Sequence, residues 1–543
     1  MIRWLRQRLA PPPGAGWLVT SGLLLGLAHP PFHLLLPSFV ALVPYAVWIE
    51  RLPAGSDGRS SALRGGFLLG LIYFSLVFYW LMVALIYFTK MAILAFVAPV
   101  LILSGFLALV TLGTLQVHRR LRWPIWIALP VFWTAMEWLR AHLADVAFPW
   151  MGLGDTLTGF PWLIGAADVV GSRGLTLWLV AINGLIAGLW AARRRPAESG
   201  SPGPLQSRRA MALALALLVV VPTAYSLYRW ETLQVRPAAR VVLVQPNIPE
   251  DLKLDTSAAV DATMRATNAL LSGALAGGAS SVDLVVLPET ALPVFIDPIP
   301  SIPYPGRGDL EAWAGHWAKR FNAPILFGGV GADDLGGGEY DHFNSAFFLD
   351  SDGSRLARYD KKYLVPIVER VPFVDPGLFR GVPFFGGFAV GRESPVLQTA
   401  GARFGVLICY ESIFTQLSRH YRRNGADFLV NITNDAWFGR AEPWWNRSSA
   451  LSQHPAHLVM RAIENRIGVA RSANTGITEL VDPLGRVEGP TELFTDAVLT
   501  GDVTTSDALT LYTRFGDLLG WGAAITALLA AAAAAYRRVD TNA

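Results

Sequence analysis

The chain has 543 residues, 52% hydrophobic and only 16% charged, with a mean hydropathy of +0.39. Soluble globular chains carry about 25% charged residues, so an ordinary soluble fold and a disordered chain are both excluded. One cysteine also excludes a disulfide-stapled scaffold and any cysteine-rich metal site. The net charge of +4 hides an asymmetry: 18 of the 45 basic and 7 of the 41 acidic residues lie at or before Arg229, leaving 27 against 34. Basic groups set between apolar runs read as membrane-topology signals, whereas a nucleic-acid surface would cluster them on a folded domain.

Charge-poor apolar stretches fall at about 15–28, 34–49, 65–89, 91–117, 123–136, 174–192, 210–228 and 518–536. About 20 apolar residues cross the hydrocarbon layer as a helix, so the expectation is eight transmembrane helices. Seven lie within 1–229, and the eighth, with a tail, within 517–543. The stretch from His29 to His33, with Pro30 and Pro31, breaks the first two spans apart. Arg3, Arg6 and Arg8 precede an apolar run in the manner of a secretory signal, but further spans follow at once, so this run reads as an uncleaved first helix. Arg51, Arg59 and Arg64, then Arg119, Arg120 and Arg122, then Arg193–Arg195 with Arg208 and Arg209, and finally Arg537 and Arg538 all fall on one side of an eight-span chain, while Lys90 alone marks the other. The positive-inside bias puts both termini in the cytoplasm and residues 230–516 on the opposite face. The Pro/Gly/Ser-rich segment Pro196–Pro204 reads as a loop.

Residues 230–516 have another texture. β-branched runs at Arg240–Gln245, Val282–Leu287, Pro324–Gly329, Ala346–Leu349, Gly405–Ile408 and Asp427–Ile432 alternate with helix-like stretches at Asp255–Ala276, Asp309–Phe321 and Ala456–Asn465. Strands that are hydrophobic almost throughout are buried on both faces, so a layered α/β domain is expected. Ser351-Asp352-Gly353 reads as a hairpin turn.

Three strands end in reactive side chains. Phe404–Ile408 runs into Cys409-Tyr410-Glu411-Ser412, Val282–Leu287 into Pro288-Glu289, and the strand after the hairpin into Asp360-Lys361-Lys362. A lone cysteine is ordinarily a small buried hydrophobe, an isolated Glu289 would cap the next helix, and a Lys-Lys pair is ordinarily a solvated turn. Taken together they suggest covalent acyl transfer. A thiol with an ordinary pKa of about 8.5 needs a base. A glutamate in apolar surroundings is expected to have a raised pKa and to accept that proton. A lysine ammonium and the N–H after the cysteine could stabilise an oxyanion.

The segments L-P-E-T, Y-x-K-x-x-L-V-P-x-x-E and G-x-x-I-C-Y-E, with Ile432–Gly439 and Arg461–Arg466, resemble the nitrilase (carbon–nitrogen hydrolase) superfamily. With spans before and after, the chain resembles the apolipoprotein N-acyltransferase family along nearly its whole length. The resemblance implies an α-β-β-α sandwich with a Glu289–Lys361–Cys409 triad, Lys362 being the alternative register for the lysine. Glu369, Tyr410 and Glu411 match further positions needed for activity. It implies a ping-pong reaction in the bacterial inner membrane, with a phospholipid such as phosphatidylethanolamine as acyl donor. The acceptor would be the diacylglyceryl-cysteine of an apolipoprotein, with no metal or other cofactor and nothing requiring more than a monomer. Leu254 stands where the family often carries Trp.

Apolar loops at Pro293–Ile296, Pro298–Pro305, Phe373–Phe388 and Pro443–Trp445 are expected to include lids that meet lipid. Two other readings compete. A membrane-tethered nitrilase-type amidase would act on a small amide. A transporter would need ionisable groups deep in the spans, where the sequence offers only Glu137, Arg140 and Asp168 near span ends.

Overall fold

The computed structural model describes residues 12–86, 92–193, 205, 207–250, 256–279, 281–297, 299, 307–375, 378, 387–399 and 401–537. Lys90, Pro196–Pro204, Leu254 and most of the Pro298–Pro305 and Phe373–Phe388 loops lie outside the described residues. Two compact units are resolved: Met1–His142 with Phe148–Glu231 and Asp517–Ala543, and Leu143–Ala147 with Thr232–Gly516.

The first unit is helical. In chain order it contains α1 (Ala15–Ala28), α2 (Leu35–Val40), α3 (Val43–Glu50), α4 (Gly55–Phe78), α5 (Trp80–Ile86), α6 (Ala92–Arg120), α7 (Ile125–Arg140), α8 (Ala167–Arg193) and α9 (Arg208–Thr232). A last helix, Leu518–Tyr536, closes it. Among the described residues, five helices are long and apolar enough to cross a membrane: α4, α6, α8, α9 and Leu518–Tyr536. The other three expected spans form shorter helices. Helix α1 has 14 residues and α7 has 16, while the second stretch divides into α2 and α3 at Ala41-Leu42.

Small residues let helices in this unit approach closely. A side chain at Gly66 or Gly70 of α4 would meet Thr111 Oγ1 at 2.1 Å or Ser104 Cα at 2.5 Å on α6, the close packing that small residues four apart permit. Buried polar groups act as interhelical staples. Glu137 on α7 accepts from Trp133 Nε1 (3.0 Å), Leu153 N (2.9 Å) and the Thr176 hydroxyl of α8 (2.8 Å). Asp168 accepts from Tyr225 (2.9 Å) and Arg229 (3.1 Å) of α9. Arg140 donates to Met151 O at 3.2 Å. In a hydrocarbon setting each such group must be satisfied internally, and these bonds tie successive spans together.

The second unit is a two-sheet sandwich. Its elements are β1 (Arg236–Gln245), α10 (Thr256–Ala276), β2 (Leu284–Val286), α11 (Arg307–Phe321), β3 (Ile325–Gly336), β4 (Glu339–Leu349), β5 (Arg355–Asp360), β6 (Leu397–Gln398), β7 (Arg403–Ile408), α12 (Thr415–Arg423), β8 (Phe428–Thr433), α13 (Ala450–Asn465), β9 (Gly468–Ala473), β10 (Glu479–Val481), β11 (Val487–Glu488), β12 (Ala497–Thr505) and α14 (Leu511–Phe515). The helix Leu518–Tyr536 is thus α15. One sheet runs β12-β1-β2-β3-β4-β5 and the other β11-β10-β9-β8-β7-β6. Parallel pairs β1–β2–β3 and β7–β8–β9 form their centres, with antiparallel strands outside.

Burial explains the layering. Val241, Leu243, Val286, Leu326 and Phe348 of the first sheet interlock with Phe404, Val406, Ile408, Val430 and Ile432 of the second. The opposite faces of β1 to β4 pack on α11 through Leu310, Ala314, Trp317 and Phe321, an apolar stripe at helical spacing. Strands β1, β2, β3, β4, β7 and β8 grow from the expected hydrophobic runs. The sequence pattern did not mark α12 or β9 to β12. Strand β9 buries Arg471 and Ser472, and β12 is largely half-exposed, so neither carries a continuous apolar signature.

Strand β7 is fitted tightly from below. A Cβ on Gly405 would lie 2.1 Å from the ring of Tyr421, itself fully buried on α12. Gly405→Ala should therefore destabilise the unit by about 1–3 kcal/mol through overpacking, seen as a lowered thermal midpoint with α12 protection lost first in hydrogen exchange.

Candidate active site

Strand β7 delivers Cys409. The strand ends at Ile408, and Cys409 has φ +48° as it opens the 3-10 turn Cys409–Ile413. A side chain in the left-handed region costs roughly 1–2 kcal/mol, so neighbouring bonds must impose it. Glu411 Oε2 accepts from Ile408 N at 2.8 Å, and the His454 ring of α13 meets the Cys409 carbonyl at 3.1 Å. The strand-to-turn corner leaves the sulfur at the sheet's end, with the residue 8% exposed.

The first sheet supplies the charges. Glu289 follows β2, and Lys361 follows β5 directly. Lys361 Nζ donates to Glu289 Oε1 (3.3 Å) and to Glu369 Oε1 (2.9 Å), and the Asn344 amide of β4 donates to the same two oxygens at 2.8 Å each. Glu289 Oε2 accepts from Asn434 N at 2.9 Å, and Glu369 Oε2 from Val365 N at 2.7 Å. Lys361 is 1% exposed, whereas Lys362 is half-buried and offers its backbone N–H to Glu411 at 2.7 Å. Of the two registers, Lys361 is the one that enters the site.

Burial alone would raise the Glu289 carboxyl. Lys361, the Asn344 amide and the Asn434 N–H outweigh it and hold Glu289 below the ordinary carboxylate range. This corrects the expectation of a raised pKa: the site is buried but not apolar, because a cation sits against the acid. Burial would lower Lys361, but Glu289 and Glu369 raise it well above its ordinary value. For Cys409, burial and then the Glu289 charge push the thiol up, against a smaller lowering by Lys361. The resting site is therefore a carboxylate, an ammonium and a neutral thiol that feels both charges.

Glu411 does not reach this cluster. Its Oε1 accepts from Tyr359 OH (2.7 Å), Lys362 N (2.7 Å) and Tyr363 N (3.3 Å), so it ties the β5 loop to the Cys409 turn. Burial pushes its pKa up to about 7. Tyr410 OH donates to Ala147 O at 3.0 Å. Asn344, Asn434 and His454 belong to the same constellation and carried no assigned role in the sequence reading. The one available signal was polarity out of place, an asparagine inside the apolar strand β4. His454 also bonds Asp435 Oδ1 (2.9 Å), whose other oxygen holds Arg471 (2.5 Å), beneath the cysteine turn.

Among the apolar loops, Val294 and Ile296 are buried in the core against α11, so Pro293–Ile296 is a packed connection and no lid. Phe373 (73% exposed), Trp444 (72%) and Trp445 (64%) are open to the surroundings.

A sandwich of this topology with a cysteine, glutamate and lysine at its strand ends defines a nitrilase-type carbon–nitrogen hydrolase domain. The carbon–nitrogen hydrolase family model matches residues 240–510, and the model for the apolipoprotein N-acyltransferase N-terminal domain matches residues 21–185. The apolipoprotein N-acyltransferase of Geobacter metallireducens is 33% identical, covering 94% of both chains. That of Bradyrhizobium diazoefficiens is 32% identical, covering 96% of this chain and 94% of its own. An amidase from Nesterenkonia sp. AN1 aligns in structure over 52% of this chain and 98% of its own, with 18% identity and a TM-score of 0.35. The chain belongs to the apolipoprotein N-acyltransferase family.

Two outcomes follow from the geometry. Asn344→Leu removes a donor that helps keep Glu289 ionised. Cysteine acylation should fall about 10- to 100-fold, the range of ~1.5–3 kcal/mol for a bond to a charged group. The acidic limb of its pH profile should move to higher pH. Glu411 carries a folded-state pKa near 7 against an ordinary 4.5, so the folded chain holds a proton in that window that the unfolded chain has released. Its contribution is fully present below 4.5 and is lost as pH rises through about 7. Glu479 acts in the same direction. Thermal midpoints measured across this window should fall as pH rises, and less steeply in Glu411→Gln.

Proposed function

We propose that the protein transfers a fatty acyl chain from a phospholipid, phosphatidylethanolamine among them, to the N-terminal amine of diacylglyceryl-cysteine on apolipoproteins, through a thioester on Cys409. The observation that carries the reading is the buried Glu289–Lys361–Cys409 cluster in a chain whose other unit has, among the described residues, five helices of membrane-spanning length. Family membership supports it. A soluble amide hydrolase has no use for such helices, and a lipid donor does: drawing an acyl chain out of the bilayer costs about 0.8 kcal/mol per CH₂.

Each half-reaction uses the same groups. As Sγ of Cys409 attacks the ester carbonyl carbon, its proton passes to Glu289, which is ionised and ready to accept it. Keeping the thiol neutral until attack protects it from side reactions of a standing thiolate. Negative charge grows on the carbonyl oxygen, and Lys361 with the N–H after Cys409 stabilises it in a site that excludes water. Collapse breaks the ester C–O bond, and Glu289 returns the proton to the departing glycerol oxygen, giving the lysophospholipid. In the second half the α-amine attacks the thioester carbonyl carbon, Glu289 takes the amine proton, and as the C–S bond breaks Glu289 returns that proton to Sγ, giving the amide, the thiol and an ionised Glu289. Glu369 and Asn344 hold Lys361 and Glu289 in place throughout.

The arginine clusters flanking the spans support a cytoplasmic position for both termini and a periplasmic position for residues 230–516. Exposed Phe373, Trp444 and Trp445 offer apolar area suited to acyl chains. The reading takes a single copy of the chain as sufficient, because all three reacting groups come from one chain.

Incubation with phospholipid, followed by intact mass, tests the proposal. The expected outcome is one fatty-acyl mass that maps to Cys409, is absent in Cys409→Ala and is discharged by a diacylglyceryl lipopeptide. Full activity of Cys409→Ala, or hydrolysis of small amides with no acyl mass, would overturn it in favour of a tethered amidase.

A further inference from the structure

The helical unit contains a groove of about 710 Å³ that the chemistry above does not use. It lies between α6, α7 and α15, with Gly113 and Phe132 at its floor and Leu109 and Leu528 along its rim. The rim residues are 59% and 72% exposed. One end is polar, with Arg59, Gln116 and Arg120, and the other is apolar, with Phe106, Leu139 and Ala524. From Phe106 to Arg120 is about 21 Å of helix, and from Ala524 to Ala535 about 16 Å. Half of a ~30 Å hydrocarbon layer is about 15 Å, so the groove is about one leaflet deep.

Charge selects the occupant. Arg119 and Arg120 end α6, Arg59 lies in the first turns of α4, and Arg537 follows α15 and donates to Arg120 O at 3.0 Å. Against these, the described ends of α4, α6, α7 and α15 on the arginine side carry one carboxylate, Asp57. Arg120 Nη1 donates to Ala534 O at 2.6 Å, and no described carboxylate pairs with it or with Arg59. The ammonium of a zwitterionic headgroup would meet this arginine excess unfavourably. Basic pockets between spans suit anionic headgroups.

We infer that this groove holds one anionic phospholipid, with an acyl chain lying between α6, α7 and α15 and its phosphate at Arg59 and Arg120. The inference rests on the membrane-spanning length of α6 and α15 and not on acyl transfer. All lining residues belong to the helical unit, so the lipid should bind equally in the Cys409→Ala chain.

The full chain, reconstituted in phosphatidylcholine vesicles doped with a phosphatidylglycerol bearing a diazirine in its acyl chain, can be irradiated and its peptides mapped. The expected adducts lie on Phe106–Gln116 and Ala524–Ala535. They should fall about fivefold in Arg59→Gln and by a similar factor again when Arg120→Gln is added. Ala531→Trp, which fills the groove and keeps both arginines, should also deplete them. Because Arg120 braces α15, Arg59→Gln and Ala531→Trp are the deciding variants, used where the thermal midpoint matches the parent. Equal labelling by a diazirine phosphatidylcholine, or adducts indifferent to both variants, would mean ordinary annular lipid and overturn the inference.

Discussion

A lysine ammonium buried between two carboxylates is the constraint on which the rest of the catalytic unit depends. Lys361 is 1% exposed and touches both Glu289 and Glu369. Removing three charges from water is tolerable only with every lone pair engaged, since breaking such a cluster by removing one partner costs about 3–5 kcal/mol. The surrounding fold supplies those partners. Asn344 bridges the two acids from β4, Asn434 N comes from the loop after β8, and Val365 N from the loop after β5. The same cation sets the protonation of the site: it keeps Glu289 ionised despite burial, as its proposed role as base requires, beside a thiol that burial keeps protonated.

The two sheets divide this work. The first carries Glu289 and Lys361, while the second carries the proposed nucleophile, Cys409, on a strained corner. The strain at Cys409 persists because Glu411 grips the strand end from one side and His454 reaches the Cys409 carbonyl from the other. Arg471, Asp435 and His454 form a buried chain of charge-assisted bonds under that corner. Such networks rigidify only when each member is satisfied, which explains why polar side chains occupy strand β9 where a hydrophobic run would otherwise be expected.

The helical unit solves a different problem with similar means. Its spans cannot rely on hydrophobic exclusion from lipid, so glycines and small hydroxyls allow close contact between α4 and α6, while Glu137 and Asp168 staple neighbouring helices. Glu137 accepts from Trp133, Leu153 and Thr176, and Asp168 from Tyr225 and Arg229, so each braces one helix against the next. Where packing leaves a gap, between α6, α7 and α15, the gap is apolar along its length and basic at one end.

The sequence by itself determined the fold class, the apolar spans and the strand ends that carry Glu289, Lys361 and Cys409. Those signals are local, because hydrophobic runs must be buried and a reactive residue after a buried strand sits at a sheet edge. The Y-x-K spacing favoured Lys361 over the adjacent Lys362, and the register of β5 turns Lys361 inward. The sign of the Glu289 shift, the bridging role of Asn344 and the His454 contact depend on groups up to 145 positions apart in the chain. No periodicity encodes such distances. They are fixed when two sheets pack face to face, because electrostatic coupling depends on separation in space and on excluded water, and the chain has neither until it folds.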